Sequence, residues 1–470
     1  MTAAVAAVDL GATSGRVILG HVGHNELRLT PISRFPNGPV STATGLRWDV
    51  SALYEHILAG LAVAAEREPE LVSIAVDSWA VDYGLLRDGT MIDEPFHYRD
   101  DRTTAGVAAV EATVTPAELY AANGLQFLPF NTLYQLAADR LGSRLDGVET
   151  ALLIPDLIDY WLTGERFAER TNASTTGLLR VTDREWDDDL IARLGLPREI
   201  FPTLIDAGTP VGTLLPAVAK RIGASVPVNT VGSHDTASAV AGIPATDPDF
   251  AYISCGTWSL VGVELENPVL SEAGRLANFT NEGGVDGRVR YLHNVMGLWV
   301  LSESVRTWEA AGGTIDLPEL LRAAEAVTGS VSVFDPDDPR FLTPGDMPAR
   351  IASWLGEHGQ PVPGSRAAMV RSILESLADA YARTIDTARE LTGKTISVIH
   401  LVGGGSLNTL LCQLTADRTG LPVVAGPVEA TAIGNVLVQA RAQGLIAGDL
   451  DTLRAIVARS STPQRYLPRA

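Results

Sequence analysis

The chain opens with a strand, a glycine turn and a returning strand, and the pattern recurs past its midpoint. Val5-Ala-Ala-Val-Asp-Leu10 reads as a short apolar strand, Gly11-Ala-Thr-Ser-Gly15 as a turn, and Arg16-Val-Ile-Leu-Gly20 as the strand that pairs back. Ala251-Tyr-Ile-Ser-Cys255, Gly256-Thr-Trp258 and Ser259-Leu-Val-Gly-Val-Glu264 repeat the pattern. The repeat lies in pattern rather than in identity. It predicts two related α/β halves, with hairpin tips facing each other across a cleft. Small residues let the first turn approach a phosphate closely. Thr13 and Ser14 add hydroxyl donors, and Asp9 can hold Mg²⁺ directly or through water. The spacing fits neither a Walker loop nor a dinucleotide fingerprint, and an ordinary hairpin accounts for the same residues.

Between the two hairpins lies Gly232-Ser-His-Asp-Thr-Ala-Ser-Ala-Val-Ala-Gly242. Val226-Pro-Val-Asn-Thr-Val231 before it suits one buried strand, and the small-residue run Ala237 to Ala241 suits a closely packed helix. Ser233, His234, Asp235 and Thr236 therefore fall at a strand end that opens a helix, where open α/β sheets place ligand-binding groups. A carboxylate there can take a proton from a substrate hydroxyl. The plainer reading of Asp235 is a helix cap.

Whole-chain properties narrow the class. At 470 residues the chain exceeds one ordinary core and predicts two or three domains. A net charge of -20 argues against a nucleic-acid partner, because phosphate neutralisation needs clustered Lys and Arg. A polyphosphate would have to be held by backbone N–H groups, a metal ion or a helix N-terminus. Cys255 and Cys412 form no disulfide framework and read as small core residues, which fits a reducing cytosol. Met1 to Val8 lacks a basic n-region and reads as a first strand, and no apolar run approaches a membrane span.

Further segments add candidates. Strand Leu71 to Val76 leads to Asp77-Ser-Trp-Ala-Val-Asp-Tyr83, whose polar and aromatic groups suit a small polyol, or simply a surface loop with a buried Trp. Phe96 to Arg102 is a charge-dense loop, and Arg170 to Thr176 a hydroxyl-rich connection. Ser330 to Arg350, with four prolines, reads as a loop without regular structure. Ser365 caps a long helix with an apolar stripe from Val370 to Ala388, closed by Gly393. Strand Ile396 to Val402 then runs into Gly403-Gly-Gly405 and a helix from Thr409 to Thr419, a backbone-lined pocket for a base or phosphate, or a tight turn.

Taken together these strings are identifiable. Val8-Asp-Leu-Gly-Ala-Thr-Ser-Gly-Arg16, Asp77-Ser-Trp-Ala-Val-Asp82, Gln126-Phe-Leu-Pro-Phe-Asn-Thr-Leu-Tyr-Gln135, Ser233-His-Asp-Thr-Ala-Ser-Ala-Val240, Gly256-Thr-Trp-Ser259, Thr280-Asn-Glu-Gly-Gly284, Asn294-Val-Met-Gly-Leu-Trp299 and Gly403-Gly-Gly405 carry the resemblance. Over nearly its whole length the chain resembles the FGGY family of carbohydrate kinases. That resemblance implies the two-domain α/β fold of actin and hexokinase, with ribonuclease H-like halves around a central cleft. Residues 1–242 would bind sugar and residues 243–470 nucleotide. The Ser-His-Asp-Thr and Thr-Asn-Glu-Gly-Gly strings point to the branch acting on L-rhamnulose. L-fuculose, xylulose or another ketose is the nearer alternative, and an actin-like regulator without sugar chemistry the distant one.

The resemblance also implies roles. Asp235 would be the general base, and Ala80, His234, Asp235, Thr236 and Asn294 would contact the sugar. Ala12, Thr13, Ser14, Gly15, Arg16 and Thr257 would face the ATP phosphates, Gly404 the nucleoside, and Asp9 would anchor Mg²⁺. Ala80 stands where members of the family carry Gly, and Ser302 where a Gln reaches the nucleotide. Phosphate ligands from residues 12–16 and Thr257 come from different halves, which predicts closure on binding.

Overall fold

The computed structural model describes residues 3–23 and 26–469; Met1 and Thr2, at the start of the expected first strand, lie outside them. The chain forms two compact units. The first gathers Met1–Thr246, Glu264–Tyr291 and Ala430–Thr462; the second gathers Asp247–Val263, Leu292–Glu429 and Pro463–Ala470.

In the first unit a mixed sheet runs in the order Pro210–Thr213, Pro227–Asn229, Ile74–Ser78, Ala3–Leu10, Ser14–Gly23, Glu26–Pro36. Ala3–Leu10 pairs antiparallel with Ser14–Gly23 and parallel with Ile74–Ser78, in a register that sets Asp9 opposite both Arg16 and Asp77. The apolar run Val5 to Val8 is fully buried, as a strand covered on both faces requires. The returning strand is longer than the sequence pattern indicates, and the edge strand Glu26–Pro36 pairs with it. That edge strand is only partly buried, so its alternation is weak.

The helix Ala430–Ala442 packs on this sheet from far along the chain. Its Asn435 Nδ2 donates to Asp77 Oδ2 at 2.6 Å, and Gln439 Nε2 donates to the Ala6 carbonyl at 3.1 Å. It crosses the helix Asp235–Ala241 at glycines. A Cβ on Gly434 would lie 1.8 Å from the Ser238 carbonyl oxygen, and one on Gly242 2.2 Å from that of Ala430.

The second unit repeats the pairing of the first. Phe250–Cys255 runs antiparallel to Trp258–Leu265 and parallel to Val398–Val402, which pairs in turn with Val423–Ala425. The long helix spans Arg366–Thr392. Ser365 Oγ accepts from the Ala368 N–H, and Gly393 closes the helix in the left-handed region at φ 68°. Its predicted stripe, Val370, Ile373, Leu374, Leu377, Tyr381, Ile385 and Ala388, is buried throughout. Ser330 to Arg350 is not wholly irregular: a short turn forms at Pro339–Phe341, and the helix Met347–Glu357 starts inside the stretch. Asp346 caps that helix and Pro348 sits in its first turn, so prolines that read as loop are helix-start residues.

Candidate active site

The C-terminal ends of the parallel strands of the first unit carry its acidic groups. Asp9 is next to last in one strand and Asp77 in its parallel neighbour, and the Ser78 N–H donates to the Ser233 carbonyl at 2.9 Å, which brings the central loop alongside. Asp235 begins the helix Asp235–Ala241, and His234, not Asp235, occupies the cap position. The cap reading of Asp235 therefore has no support in the local geometry. Thr236 Oγ1 donates to Asp235 Oδ1 at 3.1 Å.

Burial, and then the Asp9 charge, push the Asp235 carboxyl up to about 7, against hydrogen bonds from Thr236. Its side chain keeps 29% of its surface exposed, so solvent offsets part of that push. Burial and Asp9 also hold Asp77 well above the usual carboxylate range. His234 is held well below its ordinary value by burial and by the Arg290 charge.

Buried donors and acceptors fix the loop. Glu169 is fully buried and accepts from the Ser233 N–H at 3.1 Å and Ser233 Oγ at 2.8 Å, besides the N–H groups of Thr171 and Asn172. The hydroxyl-rich connection after it thus serves this carboxylate. Asn37 holds the first hairpin: its Nδ2 donates to the Gly11 carbonyl at 2.8 Å and its N–H to the Thr13 carbonyl at 3.1 Å. Ala12 to Arg16 form the tip and returning strand, with Arg16 Nε 3.2 Å from Asp9 Oδ2. Gly15 has a packing reason of its own, since a Cβ there would lie 2.2 Å from the Phe35 ring.

Ala80 sits beside a strained turn. The Asp82 N–H donates to the Ala80 carbonyl at 3.0 Å across Val81, which has φ 70°. This is a γ-turn centred on a β-branched residue, a conformation that surrounding contacts must enforce. Thr132 Oγ1 donates to the Val81 carbonyl at 2.7 Å. The buried Asp82 carboxylate accepts from Trp48 Nε1 at 2.6 Å, Trp79 Nε1 at 3.1 Å and Gln135 Nε2 at 2.8 Å. Burial raises its pKa to about 6, against these bonds. The indoles of Trp48 and Trp79 lie 4.1 Å apart, and His97 packs 4.1 Å from Trp48. The segment is a buried aromatic block, not a surface loop.

The second unit assembles Thr257, Gly404 and Asn294 near its own strand ends. The turn residue Thr257 accepts at its carbonyl from the Trp299 N–H at 3.1 Å. Asn294 lies on Val289–Met296, whose end is held by Asp337 accepting from the Met296 N–H at 2.7 Å. The glycines of the triplet differ in kind. Gly403 has φ 82°, and a Cβ on Gly405 would lie 2.1 Å from Cys255 Sγ, whereas one on Gly404 meets nothing within 4 Å. Gly404 opens a short turn through Leu407, whose side chain is 70% exposed. Cys255 and Cys412 are free and buried, as expected of small core residues.

Family models settle the relationship. The model of the FGGY carbohydrate kinase N-terminal domain matches residues 5–242, and that of the C-terminal domain residues 251–443. This chain belongs to the FGGY family of carbohydrate kinases. Among its relatives, the rhamnulokinase of Bacteroides thetaiotaomicron is 42% identical over 467 residues, covering 98% of this chain and 95% of that protein. The rhamnulokinase of Pectobacterium atrosepticum is 43% identical over 471 residues, covering 99% and 93%. The ligand-bound xylulose kinase of Lactobacillus acidophilus has the same fold at 16% identity, with a TM-score of 0.80 over 99% of this chain and 94% of that one. Plasmodium falciparum glycerol kinase with ADP matches at a TM-score of 0.77 and 16% identity, over 100% and 94%. The chain thus has the mixed α/β fold of the xylulose and glycerol kinases.

FGGY kinases use ATP with Mg²⁺. Among the described residues no group of three or more His, Cys, Asp or Glu forms a metal cage. Mg²⁺ on phosphate substrates needs no cage, since one or two carboxylates with phosphate oxygens and waters complete its shell. Asp9, buried beside Asp77 and electrostatically coupled to Asp235, fits that need, because like-charged carboxylates in a buried site favour a divalent cation.

Proposed function

We propose that this protein transfers the γ-phosphoryl group of MgATP to the 1-hydroxyl of L-rhamnulose, giving L-rhamnulose 1-phosphate and ADP. The observation that carries the chemistry is Asp235, a carboxylate at a strand-to-helix junction with its pKa pushed up to about 7. The substrate reading is supported by relatives named rhamnulokinase, aligned over almost the whole chain.

In this reading Asp235 orients the 1-hydroxyl and takes its proton as the new O–P bond forms and the bond to ADP breaks. His234, Thr236, Ala80 and Asn294 contact the sugar, with the block of Trp48 and Trp79 as the wall behind Ala80. Ala12 to Arg16 and Thr257 present backbone and hydroxyl donors to the phosphates. Asp9 would hold Mg²⁺, which supplies charge neutralisation at the transferring phosphoryl group. Residues 1–242 form the sugar-binding part and 243–470 the nucleotide-binding part. The reaction belongs in the cytoplasm, where ATP is supplied; no described helix is long and apolar enough to cross a membrane.

Coupled ADP release measured with a panel of ketoses tests the substrate. L-rhamnulose is expected to give the highest kcat/KM. Preference for L-fuculose or xylulose would move the substrate assignment, and no sugar-dependent ADP release would remove the kinase reading.

Gly404 tests the nucleotide side. Its open surroundings and a φ outside the left-handed region let Gly404→Leu fold normally, while the new side chain fills the space offered to the nucleoside. Calorimetry should show ATP affinity reduced by roughly tenfold or more, the worth of about 1.4 kcal/mol, with the urea midpoint unchanged. Unchanged ATP affinity would remove this assignment.

A further inference from the structure

We infer that Arg290 is a positioning residue for phosphoryl transfer: it fixes His234 as the neutral imidazole protonated on Nε2, so that the ring beside Asp235 donates a hydrogen bond and does not act as a base. The inference rests on the reading of Asp235 as the base.

The geometry is specific. Arg290 Nη2 lies 2.9 Å from His234 Nδ1. A guanidinium has only donors, so at that distance Nδ1 must offer its lone pair. A neutral imidazole carries one proton, and here it is left on Nε2. Nε2 lies 3.5 Å from Asp235 Oδ1. A competing contact exists, since Nδ1 also lies 3.4 Å from Glu282 Oε2. It is the longer of the two. A proton on Nδ1 would also set two donors against each other across the 2.9 Å contact. The same Glu282 oxygen sits 3.2 Å from Arg290 Nη1, where it balances the guanidinium charge.

Both partners are enclosed. Arg290 is fully buried, and its Nε donates to the Gly283 carbonyl at 2.8 Å. His234 is 5% exposed and is tied through a backbone bridge to Ser78.

The arrangement has a chemical consequence. A histidine with a free Nε2 lone pair would compete with Asp235 for the substrate proton, and an imidazolium would lower the basicity of that carboxylate. The buried cation behind the ring suppresses both forms. Burial and the Arg290 charge also hold the imidazole in its neutral form. His234 is left with one task, donating Nε2–H to a sugar oxygen or to Asp235, which aligns the hydroxyl with its base.

The tautomer can be read in the unaltered protein. In ring-¹⁵N-labelled enzyme, long-range ¹H–¹⁵N correlation, assigned with His234→Gln, should show Nδ1 at the unprotonated and Nε2 at the protonated nitrogen position. Protonated Nδ1, or an imidazolium in neutral buffer, would overturn the inference. This readout is independent of catalysis, so it stands or falls separately from the role of Asp235. For function, Arg290→Met should lower kcat by roughly 10- to 100-fold through misalignment, with KM for ATP unchanged. Arg290→Lys, still a donor-only cation, should recover part of the loss. A well-folded Arg290→Met with normal kcat would refute the positioning role. If Arg290→Met does not fold, Arg290→Met combined with Glu282→Gln removes the buried charge that Arg290 balanced and carries the same kinetic test.

Discussion

Asp235→Asn is expected to lower kcat by roughly 10²- to 10⁴-fold, the usual contribution of general acid–base catalysis. Asn keeps the size and a hydrogen-bonding oxygen for Thr236 but has no proton affinity in the working range. Sugar and ATP should still bind in calorimetry. A mere helix cap would tolerate the change, since Asn caps as well as Asp, and the cap position belongs to His234 in any case. The wild-type enzyme should also show an acid limb in kcat/KM. Because the folded-state pKa of Asp235 is raised to about 7, the base is ionised and active above that value, and activity falls as pH drops through it. Mg²⁺ at Asp9 would cancel part of the like-charge push, so the limb in kcat with saturating MgATP should lie at lower pH. Near-normal turnover by Asp235→Asn would end the assignment.

Gly434→Ala is expected to destabilise the protein by about 2–4 kcal/mol, a large part of a domain stability of ~5–15 kcal/mol. Helix propensity alone predicts the opposite, a gain of about 1 kcal/mol. Packing decides the sign. The added methyl would lie 1.8 Å from the Ser238 carbonyl oxygen and 3.1 Å from the Ser238 Cα, and backbone cannot swing aside as a side chain does. The clash falls on the helix that begins at Asp235, so the surviving folded fraction should also lose turnover. Gly356→Ala is the matched control. It lies in the helix Met347–Glu357 with nothing within 4 Å of its Cβ, so it should be neutral or stabilising. Urea midpoints of both variants measure the contrast. A stabilised Gly434→Ala would mean that the helix crossing yields more easily than its geometry implies.

Local signals carried the elements, and chain-distant partners escaped them. Ser365 and Gly393 mark the ends of the long helix because capping is decided within a few residues. The two hairpins were visible because glycine turns and β-rich runs are local as well. Asp346 and Pro348 were local signals too, but the surrounding prolines outweighed them and hid a helix start. At the site, Asp235 stood out by its place between a strand and a small-residue helix. Glu169, Asn37, Asn435 and Arg290 did not, because each is an ordinary residue in its own segment. Glu169 reaches Ser233 across 64 positions and Asn435 reaches Asp77 across 358. No periodicity or spacing encodes such pairs; only the folded sheet brings them together. The aromatic block was half legible: Trp79 and Asp82 lie in one short string, but Trp48 comes from a separate segment before the helix Val50–Arg67.

The late docking of Ala430–Ala442 bears on how the protein is made. Val5, Ala7, Val22 and Ala75 share a buried cluster with Ile433, Val436 and Leu437. The ribosome releases the first of these near the start of translation and the last close to its end. At ~5–20 residues per second, the sheet bearing Asp9 and Asp77 waits on the order of tens of seconds for the helix that covers it. During that interval an apolar sheet face and the Asp77 carboxyl lack their native cover. A chain truncated before Ala430 should therefore leave that face open, which stronger binding of a hydrophobic dye than by the full chain would report.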